Sequence, residues 1–138
     1  MAAADRIRDE VSPFLNKPPD LLAGLNKWID QLRDYHIVAH YFSINPDKRR
    51  SPDSLFTLSV LTDVGFHTID IRSNKTGLYT YCPLNQIEWI TEYETKERDY
   101  YIIRLQIPKT TIFISDSVAR KAGLQDFAQQ IRRKIEGV

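Results

Sequence analysis

The residues able to do chemistry are few, and each belongs to a recognisable pattern. His36 and His40 are spaced His-x-x-x-His, which on a helix sets two imidazoles one turn apart and lets them share a zinc ion. On a strand the same spacing separates them by about 13 Å, too far for one metal. The chain alternates between apolar and polar residues from Tyr35 to Ile44, so the strand reading holds and no metal or other cofactor is expected. His67 and Cys82 make a second pair. A hairpin that sets Thr62 opposite His67 puts this histidine and Cys82 on one face of neighbouring strands, near a diagonal, and a thiol beside an imidazole is a nucleophile signature. Activation requires a lowered thiol pKa and an orienting third group. Cys82 is flanked by Tyr81 and Pro83 with no basic cluster nearby, so it reads as a buried structural cysteine, and no catalytic residue is expected.

The charged and aromatic clusters point to binding rather than reaction. Asp47-Lys48-Arg49-Arg50-Ser51 is the one concentrated basic stretch. Lys48, Arg49 and Arg50 could touch a phosphate or an anionic lipid. Asp47 and Asp53 dilute the patch, and neither Tyr35 to Ile44 nor Ser54 to Thr62 adds a Lys or Arg, so a solvated loop is the simpler reading. Glu88, Glu92, Glu94, Glu97 and Asp99 make one hairpin acidic, opposed by Lys96 and Arg98, a pattern that protects a sheet edge. Tyr79, Tyr81, Tyr93, Tyr100 and Tyr101 could stack bases, but no basic groove lies beside them and 19 Lys and Arg balance 18 Asp and Glu to a net charge of +1. Nucleic acid is therefore not an expected partner. Asn74-Lys75-Thr76 is a glycosylation sequon that matters only in a secreted protein. Walker loops, dinucleotide fingerprints and nucleophile elbows are absent.

The elements that must position these residues follow from periodicity. Ile7, Val11, Phe14 and Leu15 make a short helical stripe that ends before Pro18 and Pro19. Asp20 then caps a stronger helix, reaching Asp34, with Leu21, Leu22, Leu25, Trp28, Ile29 and Leu32 on one face and Gly24 leaving room for a neighbouring backbone. From Tyr35 the period becomes two, and seven strands are expected: Tyr35 to Ile44, Leu55 to Thr62, Phe66 to Arg72, Gly77 to Cys82, Gln86 to Tyr93, Asp99 to Ile107 and Thr110 to Ser115. Gly65 and Gly77 sit in hairpin connections where a positive φ is called for. Pairing Thr62 with His67 sets Val60 opposite Ile69 and Leu58 opposite Ile71. All four then share one face, with Leu78, Thr80 and Cys82 beside them and Tyr79 and Tyr81 on the other side. A last helix opened by Ser115 or Asp116 carries Leu124, Phe127, Ala128, Ile131 and Ile135 on one face.

Seven antiparallel strands closed by one amphipathic helix read as an α+β protein, a two-sheet sandwich or partly open barrel with a C-terminal cap and an N-terminal helical extension. Three segments carry a resemblance: Pro83-Leu84-Asn85-Gln86-Ile87, the hairpin from Tyr101-Ile102-Ile103-Arg104-Leu105 to Thr111-Ile112-Phe113-Ile114, and the helix spacing Leu124, Phe127, Ile131. Over about residues 35–135 the arrangement resembles the pleckstrin-homology-like superfold, in which nearly orthogonal sheets of four and three strands are plugged by a C-terminal helix. Many members carry a Trp near the middle of that helix, where this chain has Phe127. The resemblance implies a non-catalytic docking module for proteins or phosphoinositides, the latter often gripped in the loop between the first two strands, where Lys48, Arg49 and Arg50 stand.

The expectation is thus a protein-interaction or adaptor domain, with residues 1–34 as a helical extension and residues 35–138 as the sandwich. The partner would be another protein or a second copy, with Leu21, Leu25, Trp28, Ile29 and Leu32 as the docking face unless they pack on the chain's own sheet. A peripheral membrane module using Lys48, Arg49 and Arg50 is the alternative. Met1 to Glu10 lacks the apolar run of a secretory signal and one cysteine cannot form an internal disulfide, so a soluble cytoplasmic protein is expected.

Overall fold

Alternating β-branched and aromatic residues produce the strands where the pattern places them, while the two flanking regions, with apolar residues three and four apart, are helical. The computed structural model describes residues 3–14, 19–44, 46–47, 49, 52–72, 77–95, 97 and 99–137. Helices α1 (Ala3–Val11) and α2 (Pro19–Gln31) come first. Strands β1 (Ile37–Ser43), β2 (Ser54–Thr62), β3 (Gly65–Arg72), β4 (Gly77–Pro83), β5 (Trp89–Thr95), β6 (Tyr100–Ile107) and β7 (Thr110–Ser117) follow, and helix α3 (Lys121–Ile135) is last. The fold is α+β: one antiparallel sheet in the order β1-β2-β3-β4, a second in the order β5-β6-β7, and no closed barrel. Among the described residues no helix is long and apolar enough to cross a membrane.

Both faces of the four-stranded sheet carry buried apolar residues. Leu58, Val60, Ile69 and Ile71 share one face, as the alternation requires, and α1 and α2 cover it with Ile7, Val11, Leu25, Trp28, Ile29 and Leu32. Leu61, Phe66 and Cys82 point the other way, into a second core with Ile103, Leu105 and Ile114 of the smaller sheet and Leu124, Phe127 and Ile131 of α3. The N-terminal helices are therefore a third layer, and the boundary expected between residues 34 and 35 runs through a continuous apolar cluster. Of the two placements expected for the apolar face of α2, a docking face or a cover for the chain's own sheet, the structure has the second. Leu25, Trp28, Ile29 and Leu32 are buried within the chain, because the alternating strands present a second apolar face that water would otherwise wet. Leu21 lies in α2, and its side chain is outside the described residues.

Register departs from expectation at both hairpins. Across β2 and β3, Val60 faces His67, Leu58 faces Ile69 and Phe56 faces Ile71. This two-residue shift leaves every side chain on its expected face, since the period is two. Across β3 and β4, Ile71 faces Gly77, Ile69 faces Tyr79, His67 faces Tyr81 and Phe66 faces Cys82. Here the shift is odd and the faces exchange. Tyr79 and Tyr81 join Ile69 and His67 on the helix side, and Cys82 lies on the opposite side of the sheet from His67.

Several boundaries and glycines also differ. Helix α2 starts at Pro19, a residue whose fixed φ suits a first turn, so Asp20 lies inside it. Strand β7 runs on through Ser115 and Asp116, and α3 begins at Lys121; both side chains are used to join the two sheets and are not free to open a helix. Strand β5 begins at Trp89 because Leu84–Gln86 forms a 3-10 turn. Gly24 is exposed, and a Cβ there would meet nothing within 4 Å. Gly65 has no positive φ; it is required because a Cβ would lie 2.5 Å from the Tyr81 ring and 2.8 Å from the Cys82 carbonyl oxygen.

Candidate functional site

The exchange of faces on β4 brings an aromatic group together at the sheet edge. His67 is buried, yet it is ringed by three exposed tyrosines: the ring centroids of Tyr81 and Tyr35 lie 4.7 and 5.0 Å from its own, and that of Tyr79 lies 6.3 Å away. Trp28 meets Tyr79 edge-on at 5.7 Å. Both imidazole nitrogens are occupied. The Thr62 hydroxyl donates to the Gly65 carbonyl at 3.0 Å and accepts from the Gly65 amide at 3.2 Å. Its one proton being spent, His67 Nε2–H donates to Thr62 Oγ1 at 3.2 Å, and Nδ1 accepts from the Tyr79 hydroxyl at 3.0 Å. Tyr81 donates across the hairpin to the Val64 carbonyl at 3.4 Å.

Burial works against ionisation across this group. Burial pushes the His67 pKa below its ordinary value, favouring the neutral imidazole. Burial, with the neighbouring Tyr35 and Tyr81, raises the Tyr79 phenol, and burial raises the Cys82 thiol. A nucleophile needs the opposite shift. The expected same-face pairing of His67 with Cys82 is absent, since the odd register places Cys82 in the other core, where its Sγ lies 3.4 Å from the Pro83 carbonyl oxygen. The group's hydrogen bonds and ring contacts join Tyr79 to His67, and Tyr81 to His67 and the Val64 carbonyl, at the sheet edge.

The four sheet edges are not alike. On β1, His40 Nε2 lies 2.6 Å from Glu10 Oε2, and Arg120 Nη1 donates to the Phe42 carbonyl at 3.3 Å. Glu10 is held below the usual carboxylate range chiefly by that histidine. Tyr41 donates to the buried Asp116 at 2.6 Å and Arg120 adds a 2.7 Å ion pair. The Ser43 hydroxyl donates to the Ser115 carbonyl and the Asp47 amide donates to Ser115 Oγ at 2.7 Å, so side chains tie β1 and the residues after it to β7. Burial and the Asp116 carboxylate push the Tyr41 phenol well above its ordinary range. Strand β5 is acidic and tied to α3, Glu92 by Arg132 and Glu94 by Lys121 at 3.0 Å. Strand β4 carries no Asp, Glu, Lys or Arg, as β1 carries none beside its histidine, and among the described residues β4 pairs with β3 only. Leu78, Tyr79 and Tyr81 are 53%, 47% and 41% exposed on it.

No family model, curated protein or solved structure matches the chain. Its reading rests on the geometry.

Of the residues singled out in the sequence, His36 is exposed just before β1 and His40 pairs with Glu10, so the two histidines are not brought together at a site. Among the described residues no three His, Cys, Asp or Glu side chains converge on a point that could hold a metal. In the basic loop Arg49 is exposed, while Lys48 and Arg50 lie outside the described residues, as does the Asn74-Lys75-Thr76 sequon. Asp47 is buried, its carboxylate accepts from the Arg49 amide at 3.0 Å, and its own amide donates to Ser115 Oγ, which ties the start of the loop to the smaller sheet. The uncharged run Leu78-Tyr79-Thr80-Tyr81-Cys82 was open to notice as an unprotected edge. The convergence of Asp116, Arg120 and Tyr41 had no local signal, since 75 residues separate the hydrogen-bonded pair.

Proposed function

We propose that this chain is a non-catalytic protein-interaction domain of pleckstrin-homology-like architecture, and that it docks an extended protein segment along the outer edge of β4. The observation that carries the reading is the edge itself. Natural sheets blunt their edges with charge, proline, bulges or cover. Strands β1, β5 and β7 are tied by side chains to one another or to the helices, whereas β4, which ends in Pro83, pairs among the described residues with β3 only and carries three exposed apolar or aromatic side chains. Strand addition draws its affinity from main-chain hydrogen bonds and its specificity from alternate side chains. Tyrosines are favoured at such surfaces because they offer large contact area at small entropic cost. The four- and three-stranded sheets with a C-terminal helix agree with the architecture named.

The test uses random peptides selected against the immobilised chain and then mapped on isotope-labelled protein by amide chemical shifts. Perturbations confined to Gly77–Pro83, Tyr35 and Trp28 are expected, with binding lost in a Leu78→Lys, Tyr81→Lys double variant that melts as the parent does. Peptides that map elsewhere, or that bind the double variant unchanged, overturn the assignment.

A further inference from the structure

We infer that the segment received by β4 is β4 of a second copy, added antiparallel about a two-fold axis at Thr80, so that two four-stranded sheets become one of eight. The inference rests on the reading of β4 as the docking edge and names its occupant.

The residue pattern of the strand supports this choice. A two-fold interface must be complementary to itself, residue i of one copy meeting residue j of the other and j meeting i. Leu78-Tyr79-Thr80-Tyr81-Cys82 reads nearly the same in both directions. Antiparallel pairing centred on Thr80 sets Tyr79 of each copy against Tyr81 of the other, Leu78 against Cys82, and Thr80 against itself. Aromatic and threonine cross-strand pairs are among the favourable ones. Both tyrosines lie on the helix side of the sheet, so four tyrosines form one row across the seam. Each copy already holds its pair in place, Tyr79 through His67 and Tyr81 through the Val64 carbonyl.

Charge makes the same selection. Every charge on a self-pairing strand meets its own copy nearby, and like charges opposed across a ladder repel. Strand β5 would bring Glu92 and Glu94 toward their own copies, whereas β4 has no charge to oppose. A heterologous segment would have no need of the symmetry.

Three measurements on the full chain test the inference. Sedimentation equilibrium from micromolar to near-millimolar concentration should show a reversible monomer–dimer equilibrium. Directly opposed residues in an antiparallel pair stand about 4.5–5.5 Å apart at Cα, within disulfide reach. A Thr80→Cys variant should therefore form a covalent dimer on mild oxidation, while Leu55→Cys, exposed on β2, should not. Thr80→Lys and Thr80→Glu should each raise the dimer dissociation constant at least about tenfold, and an equimolar mixture of the two should recover dimer, because opposite charges then face each other. Melting curves matching the parent show that the variants are folded. A chain that stays monomeric at near-millimolar concentration overturns the inference. So does a dimer whose Thr80→Cys variant fails to cross-link, or one that Thr80→Lys leaves intact. A monomeric chain that still takes selected peptides on β4 refutes self-pairing and leaves the docking edge standing; loss of both refutes both.

Discussion

Replacing Trp28 with alanine separates the two roles open to helix α2, because an interface tryptophan and a core tryptophan fail in different ways. Trp28 is 7% exposed, packs in one cluster with Leu25, Ile29, Val60 and Ile69, and meets the Tyr79 ring edge-on. A side chain of this size buries about 150–250 Å², worth roughly 4–6 kcal/mol at about 25 cal/mol per Å². Measured Trp-to-Ala losses in cores run about 3–5 kcal/mol, the spread reflecting how far the site collapses. The lower range is expected here, because the gap opens toward a sheet edge where Tyr79 can lean in. At roughly 3–4 °C per kcal/mol for a chain of this length, the melting temperature should fall by about 10–15 °C. Circular dichroism gives the melting curve, and urea titration gives the free energy. Were Trp28→Ala to melt within about 2 °C of the parent, α2 would not be part of the core and the three-layer account would be wrong.

The remaining predictions concern backbone, protons and lipid. Gly24→Ala should stabilise the protein by up to about 1 kcal/mol, since its Cβ enters open space on an exposed helix face. Gly65→Ala should cost about 1–3 kcal/mol, because the Cys82 carbonyl lies on backbone that cannot simply swing aside; urea midpoints measure both. The folded chain holds His67 below its ordinary pKa, whereas the unfolded chain takes up that proton near pH 6.5. This contribution to stability is therefore complete above that pH, declines as pH falls below it, and levels off once the folded imidazole itself titrates. A His67→Gln variant should lose that part of the pH dependence, and an unchanged slope would show that another group is responsible. Binding to phosphoinositide liposomes should be weak or absent, because Lys48, Arg49 and Arg50 offer about 1 kcal/mol each near an anionic surface, opposed by Asp53. Micromolar co-sedimentation abolished by changing all three to alanine would make the membrane reading the better one.

Much of the fold was legible along the chain because it depends on local rules. A period of two made seven strands inevitable, a period of 3.6 marked three helices, and turn residues divided them. The face shared by Leu58, Val60, Ile69 and Ile71 survived an error of two residues in the β2–β3 register, since an even shift changes no face. The β3–β4 register failed for the complementary reason. One residue more or fewer in the connection exchanges the faces, and composition does not count that residue; with it went the pairing of His67 with Cys82.

Sequence alone therefore determined which segments are helix or strand to within a few residues, the face shared by Leu58, Val60, Ile69 and Ile71, and that β4 carries no charge. Only the tertiary structure decided what lies against those faces. An amphipathic stripe specifies that it must be covered and says nothing about by what, so the burial of Trp28 against the chain's own sheet could not be read from α2. Ser115 and Asp116 are good helix openers by local chemistry, yet Ser43 and Tyr41, more than 70 residues earlier, draw them into β7. The edge of β4 is likewise a tertiary fact, because a strand is an edge only once its neighbours have been placed.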